Sequence, residues 1–407
     1  MTKGWISRGA TGAPNYDEFA ADSEVTAAIE HRPDCVLAVE MPHRTPESVS
    51  AGRDFFESLV AARQHLNRLR DSGALQEVTD VVVPYRIQTS EGPALGVFCM
   101  VDTGQISSSA DEPGQIIRNE DVFIEKVRQR VALTDAICTL ASAVLLLHTD
   151  ATVGLHAYLA GLVDSLGAPD AADVDTHGNL HEMWLLEAGD DRDRLLELAG
   201  SGELIVADGN HRSLAAQIGG LPRFLGALTT PESVKIRSYH RLVRDLGIIA
   251  FDDVVTSLAR GGIAVAELDA DAELSPSEPG TVVLYTSSRA VELNLPVPVL
   301  GSPEPGSPDF VESMDHAVIE RELFNRVLGM EAGDKRITYV GGDYPASWLV
   351  NEVDSGREAL AVLLAPVGVS DFISVNSARK QLPRKSTWFT PKVRAGLVLS
   401  AVDNSVR

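Results

Sequence analysis

The strongest constraint in this chain is a strand-like run that turns into a helix with no intervening loop. Leu204-Ile205-Val206-Ala207 passes through Asp208-Gly209 straight into Asn210-His211-Arg212-Ser213-Leu214-Ala215-Ala216. Such a junction needs one residue in a conformation that a Cβ disfavours, and Gly209 supplies it. It commits the chain to layered packing, the strand in a sheet and the helix laid on it, with Leu214, Ala215 and Ile218 facing inward. The amides of Asn210, His211 and Arg212 then stand at the positive end of a helix, where anions bind, and Arg212 adds a planar cationic fork. Asp208, at the strand end, is of the type that holds a divalent cation. An ordinary glycine turn, with Asn210 as a cap and His211 and Arg212 solvated, accounts for the same residues, and both readings stay open at this point.

The rest of the chain alternates in the same way, so the fold class is α/β (α+β). The patterning predicts a short strand at Cys35–Val39 and a long helix from Ser48 to Asp71. It further predicts β structure at Val78–Pro84 and Leu95–Val101, and a buried helix over Thr134–Leu147. An acidic loop is expected at Asp164–Asp175, then strand Met183–Glu187 and helix Asp190–Ala199, with acidic residues toward its start. Helix His211–Ile218 follows strand Leu204–Ala207. Pro296, Pro298, Pro303, Pro305 and Pro308 mark a loop or linker. Beyond them come helix Met314–Leu328, strand Ile337–Val340, helix Ala346–Val353 and strand Ala359–Leu364. The domain reading is a flexible arm over 1–30, a core over 31–250 and a C-terminal α/β region with a basic tail over 251–407.

Charge restricts the partners. Thirty-five Lys and Arg against 58 Asp and Glu leave a net charge of −23, which repels nucleic acid and anionic membrane surfaces. Three scattered cysteines, Cys35, Cys99 and Cys138, form neither a disulfide framework nor a zinc ribbon, which fits a reducing cytoplasm. Cys138 lies in an apolar run and reads as core. The longest apolar run, Ala136–Leu147, is shorter than the roughly 20 residues that span a bilayer, and no secretory leader is visible at the start. Within this acidic chain, Phe372 to Val402 has no Asp or Glu but carries Arg379, Lys380, Arg384, Lys385, Lys392 and Arg394. Lys385, Ser386 and Thr387 are therefore candidates to fold back on the Gly209 turn and bind phosphate, against the alternative of a salt-bridged face. His240 and Arg241 are candidates of the same kind, against the alternative of a strand with one wet face. His177 and His181, with Gly178 and Asn179 between them, read as a solvated loop. HExxH, GxSxG, GxGxxG, Walker and protein-kinase motifs are missing.

VADGNHRSLAA resembles the DGNHR or DGHHR loop of the ParB/sulfiredoxin-like superfamily. The whole chain looks like a large, mostly uncharacterised bacterial branch of it, related to the free L-serine kinases. Val122-Phe123-Ile124-Glu125-Lys126, Ser238-Tyr239-His240-Arg241-Leu242-Val243, Ile337-Thr338-Tyr339-Val340 and the tail Leu382–Lys392 match that branch in order. Ile124, Asn210 and Ser213 depart from its usual His, His and Tyr. The resemblance implies a ParB/sulfiredoxin-like core with a C-terminal α/β extension. It implies kinase activity on the hydroxyl of free L-serine or a related hydroxy amino acid, with ATP or ADP and Mg²⁺. In that reading Glu125 is the base, and Asp208 and His211 join it as catalytic residues. Asp208 is also the metal ligand. Gly209, Asn210, His211, Arg212, Lys385, Ser386 and Thr387 grip the phosphates, while His240 and Arg241 bind the substrate. The alternatives are a ParB-like nucleotide-binding regulator without kinase activity and a scaffold that has lost activity. Oligomeric state leaves no mark in the sequence.

Overall fold

Short apolar runs set the strands, and the chain sorts them into two units, Met1–Lys235 with Pro391–Arg407, and Ile236–Thr390. The computed structural model describes residues 1–107, 114–118, 122–269, 272–295, 308–331 and 333–402. The fold is α+β, as the patterning predicts. No helix among the described residues is long and apolar enough to cross a membrane.

The first unit is built on a mixed nine-stranded sheet. Its order is Ile106–Ser107, Ile116–Ile117, Leu204–Asp208, Val144–His148, Arg223–Thr229, Gly92–Asp102, Val83–Thr89, Leu180–Met183 and Ala171–Val174. Helices Leu155–Leu166 and Asp190–Ala199 bury Leu159, Leu162, Leu195 and Leu198 in the core this sheet shares with Leu146, Val206 and Phe224. A four-stranded sheet runs Leu75–Thr79, Lys3–Ser7, Val398–Ala401, Thr139–Leu140. Trp5 and Leu399 on it pack with helices Asp22–His31, Leu59–Asp71 and Ile124–Ile137 in a second core. The second unit carries an antiparallel six-stranded sheet, ordered Ala264–Glu267, Arg289–Asn294, Thr281–Thr286, Leu360–Leu364, His240–Val243, Ile337–Val340.

Several expectations are corrected. The first thirty residues are no loose arm: Lys3–Ser7 pairs on both sides, because Trp5 and Ile6 find apolar neighbours from the far end of the chain. Cys35–Val39 is not a strand, since helix Leu37–Glu40 occupies it. The Ser48–Asp71 helix is two helices, Pro46–Ser50 and Leu59–Asp71, separated where Gly52 takes a φ of +65°. Thr134–Leu147 also divides: its helix stops at Ile137, Cys138 turns left-handed and is exposed, and Val144–His148 is a strand. A buried apolar run of this length carries no periodicity to separate helix from strand. The acidic 164–175 segment contains strand Ala171–Val174, and the next strand is Leu180–Met183 rather than 183–187. The Met314–Leu328 helix is α only over Asp315–Ile319 and π over Glu320–Val327, with the Leu328 amide donating to the Leu323 carbonyl. Of the proline-rich stretch, residues 296–307 lie outside the described residues, and Pro308 opens helix Pro308–Ser313.

Asp315 caps this region by accepting the Gly280 amide on both carboxylate oxygens, at 2.8 and 3.0 Å. Burial pushes its carboxyl up to about 6. The folded state therefore binds a proton that an unfolded aspartate releases near 4, and stability falls as pH rises from about 4 to about 6. Asp315→Asn is expected to flatten that stretch of a melting-temperature profile relative to wild type. An unchanged slope refutes it.

Candidate functional site

The Gly209 junction is present as the sequence predicts. Strand Leu204–Asp208 ends in a register shift between Val206 and Asp208, a bulge that re-aims the Asp208 side chain. Gly209 takes φ +97° and ψ 30°, and helix Asn210–Ile218 starts at once. Asn210, Ser213, Ala215 and Ala216 are its buried residues, whereas Ile218, expected inside, is exposed.

Gly209 has a second reason to lack a side chain. Arg212 folds back over it, and a Cβ there would stand 2.9 Å from Arg212 Nε. The guanidinium donates to Asp208 Oδ2 at 2.9 Å, to the Ala143 carbonyl at 2.6 Å and to Asn15 Oδ1 at 3.4 Å. Lys392 Nζ lies 3.8 Å from Asp208 Oδ1, with its side chain 6 % exposed. Asp208 thus turns one oxygen toward each of two cations. A divalent cation on Asp208 would share the carboxylate with both of these cations. Among the described residues no group of three His, Cys, Asp or Glu side chains is disposed to hold a metal.

His211 is oriented from another segment. The Phe123 amide donates to His211 Nε2 at 3.1 Å, and the two rings stack with centroids 6.1 Å apart. Nε2 is therefore the acceptor nitrogen, and in the neutral ring Nδ1 carries the proton. Phe123 caps helix Ile124–Ile137, so the structure joins the two segments the sequence singled out. Glu125, in the first turn of that helix, is exposed, with Oε2 3.7 Å from Arg128 Nη1.

His240, Arg241, Lys385, Ser386 and Thr387 belong to the second unit. Strand His240–Val243 is buried on both faces. The His240 Nδ1 accepts the Leu364 amide at 3.2 Å, and burial, with the charge of Arg241, lowers this imidazole to about 4. Arg241 donates to the carbonyls of Tyr239, Arg384 and Lys385 at 2.7, 3.2 and 3.0 Å. It holds the turn in which Lys385 takes a φ of +54°. Ser386 is buried and donates to the Pro383 carbonyl at 2.8 Å.

A buried polar network, not legible in the sequence, adjoins the loop. Arg394 donates to Glu18 Oε2 and Asp175 Oδ2, each at 3.1 Å. Asp175 meets His181 Nε2 at 3.1 Å, and His181 Nδ1 meets the Tyr85 hydroxyl. His181, read from sequence as solvated, is 1 % exposed, since strand Leu180–Met183 carries it into the sheet. Burial alone would raise the Asp175 carboxyl. Hydrogen bonds from His181 and Asn179, with the charge of Arg394, outweigh burial and hold it far below the usual carboxylate range. Asn15 closes the network on the loop: its Nδ2 donates to Glu18 Oε1 at 3.2 Å and to the Val393 carbonyl at 3.1 Å, while its Oδ1 receives Arg212.

A family model described as a protein of unknown function, DUF1015, matches residues 10–317. The chain belongs to the DUF1015 family. No curated protein matches this DUF1015 chain. Among solved structures it is similar to a free serine kinase in complex with AMP, at 11 % identity and a TM-score of 0.39, covering 74 % of this chain and 92 % of that one. It is also similar to a conserved hypothetical protein from Pyrococcus furiosus, at 12 % identity and 0.36, covering 74 % and 95 %. A third is C-terminally truncated SbnI from Staphylococcus aureus, at 10 % and 0.38, covering 74 % and 85 %.

Proposed function

We propose that this protein transfers a phosphoryl group from ATP or ADP to the hydroxyl of a small acceptor, free L-serine or a related hydroxy amino acid. The observation that carries the reading is the Gly209 turn: a left-handed glycine opens a helix whose first turn carries His211 and Arg212, with the guanidinium folded across the glycine. The resemblance of DGNHR to the phosphate loop of the ParB/sulfiredoxin-like superfamily supports the same assignment. Nucleotide phosphates rest at the helix start, where backbone dipoles and the Arg212 fork face negative charge. His211 offers its Nδ1 proton to a phosphate oxygen. The acceptor oxygen attacks the terminal phosphorus, the bond from that phosphorus to the nucleotide's bridging oxygen breaks, and the hydroxyl proton passes to Glu125. Such a transfer rests on positioning and charge neutralisation more than on covalent chemistry. Arg241 enters as the residue that holds the Lys385 turn.

Incubation with L-serine and ATP or ADP, followed by phosphorus NMR, is expected to yield O-phosphoserine. Glu125→Gln is expected to slow turnover about 10²–10⁴-fold, with nucleotide affinity little changed. The absence of a phosphorylated product with every hydroxy amino acid tried overturns the kinase reading. One observation favours a nucleotide-binding regulator instead: Glu125 stands exposed beside Arg128. Binding without product, together with a nucleotide-dependent change in mass by light scattering, selects that reading.

A further inference from the structure

We infer that Phe123 is the platform on which the base of the bound nucleotide stacks. The inference deepens the nucleotide reading and rests on it.

Phe123 stands at the N-cap of helix Ile124–Ile137, and its side chain makes no cap hydrogen bond. That position strongly favours Ser, Thr, Asp or Asn, whose side-chain oxygens meet the first amides of a helix. An aromatic ring there forgoes that stabilisation. Nor is the ring turned into the core, for Phe123 is 40 % exposed and Ile124 beside it 50 %. Apolar residues set singly on a surface need no explanation, but a ring that deprives a helix of its cap and still stays in water does. Local rules broken without a packing gain mark functional positions. Its neighbours indicate the function. The ring lies within 8° of parallel to that of His211, with centroids 6.1 Å apart, and the Phe123 amide donates to His211 Nε2 at 3.1 Å. Lys126 Nζ is 5.7 Å from the Phe123 ring centroid. A ring held by such contacts loses little freedom when a second flat ring settles on it. His211 lies in the helical turn that receives the phosphates in the proposed reaction. A nucleotide carries its base one ribose away from its phosphates, so a base platform has to stand about one side chain away from the phosphate contact. Phe123 stands there. A nucleobase presents a π-face that stacks on an aromatic side chain, and the exposed part of this ring offers the surface for it.

The test is calorimetric titration of the full chain with ADP and, separately, with inorganic pyrophosphate, which has phosphates and no base. Phe123→Ser is expected to weaken ADP about 5–100-fold, the range for one base stacked on one aromatic ring, and to leave pyrophosphate within about twofold of wild type. The serine restores a capping hydroxyl, so this variant is expected to fold at least as stably as wild type. Any residue but proline at 123 keeps the amide that orients His211, which separates stacking from that role. Phe123→Tyr is expected to bind ADP as wild type does, and Phe123→Leu, apolar but without a flat face, to be weakened like Phe123→Ser. In Phe123→Trp, ADP is expected to quench the fluorescence of the added indole, and pyrophosphate is not. Unchanged ADP affinity in Phe123→Ser or in Phe123→Leu overturns the inference and leaves the nucleotide reading standing. So does an equal loss for ADP and pyrophosphate, because the residue then acts on the phosphates. Wild type that binds neither ADP nor ATP overturns both.

Discussion

Replacing Arg394 by alanine is expected to remove about 3–5 kcal/mol of stability in chemical denaturation, as when one partner of a buried ion pair is deleted. The side chain is 4 % exposed and serves two carboxylates, Glu18 and Asp175, themselves 8 % and 5 % exposed. Without it both are left charged in a poorly solvated pocket, and the turn at Asn15–Glu18 loses its clamp. A cost below about 1 kcal/mol, the range of surface pairs, shows the network to be solvated in solution. The same network sets an acid limit. The folded-state pKa of Asp175 lies below the unfolded value, so its stabilisation is complete above about 4 and drains away as the pH falls further. Arg394→Ala removes one cause of that depression and is expected to shrink the loss measured below about pH 4.

The second large effect is at Glu40. Its carboxylate pairs with Arg130 Nη1, Arg130 Nη2 donates to the Glu40 carbonyl at 3.0 Å, and both residues are buried. They line a cleft with Arg212, Ser142 and Phe224. Glu40→Leu is expected to cost about 3–5 kcal/mol, because Arg130 is stranded. Glu40→Leu with Arg130→Met is expected to recover most of that, since removing both charges also removes the desolvation penalty. A double variant as unstable as the single one shows that Arg130 contributes chiefly through its packing over Tyr16 and Phe55.

How much was legible depends on the range of the forces involved. The Gly209 junction, helix Asp190–Ala199 and strands Ile337–Val340 and Leu360–Leu364 were readable, because local patterning and one glycine's conformational freedom specify them. The division of Thr134–Leu147 was not, for an apolar run buried all round has no polar face to betray its period. Cys138 shows the consequence: apolar neighbours in sequence marked it as core, whereas its place at a helix end exposes it. The basic tail was singled out in the sequence, and within the first unit its Lys392 lies beside Asp208. The clues were a lysine and an arginine two apart near the end of a stretch free of acidic residues. Nothing in that spacing shows which lysine meets which carboxylate.

The amino-acid order alone determined that strand, glycine and helix follow one another at residues 204–218, with an aspartate before the turn and an arginine after it. Those features lie within one helical turn of each other, so bonded geometry is enough to place them. Only tertiary structure decided that residues 15–18 and 392–394 join that turn, that His181 enters a buried relay and that Asp208 faces two cations. Ion pairs and buried hydrogen bonds choose partners by distance in space, and chain closure across nearly the whole length of the sequence is what creates that distance.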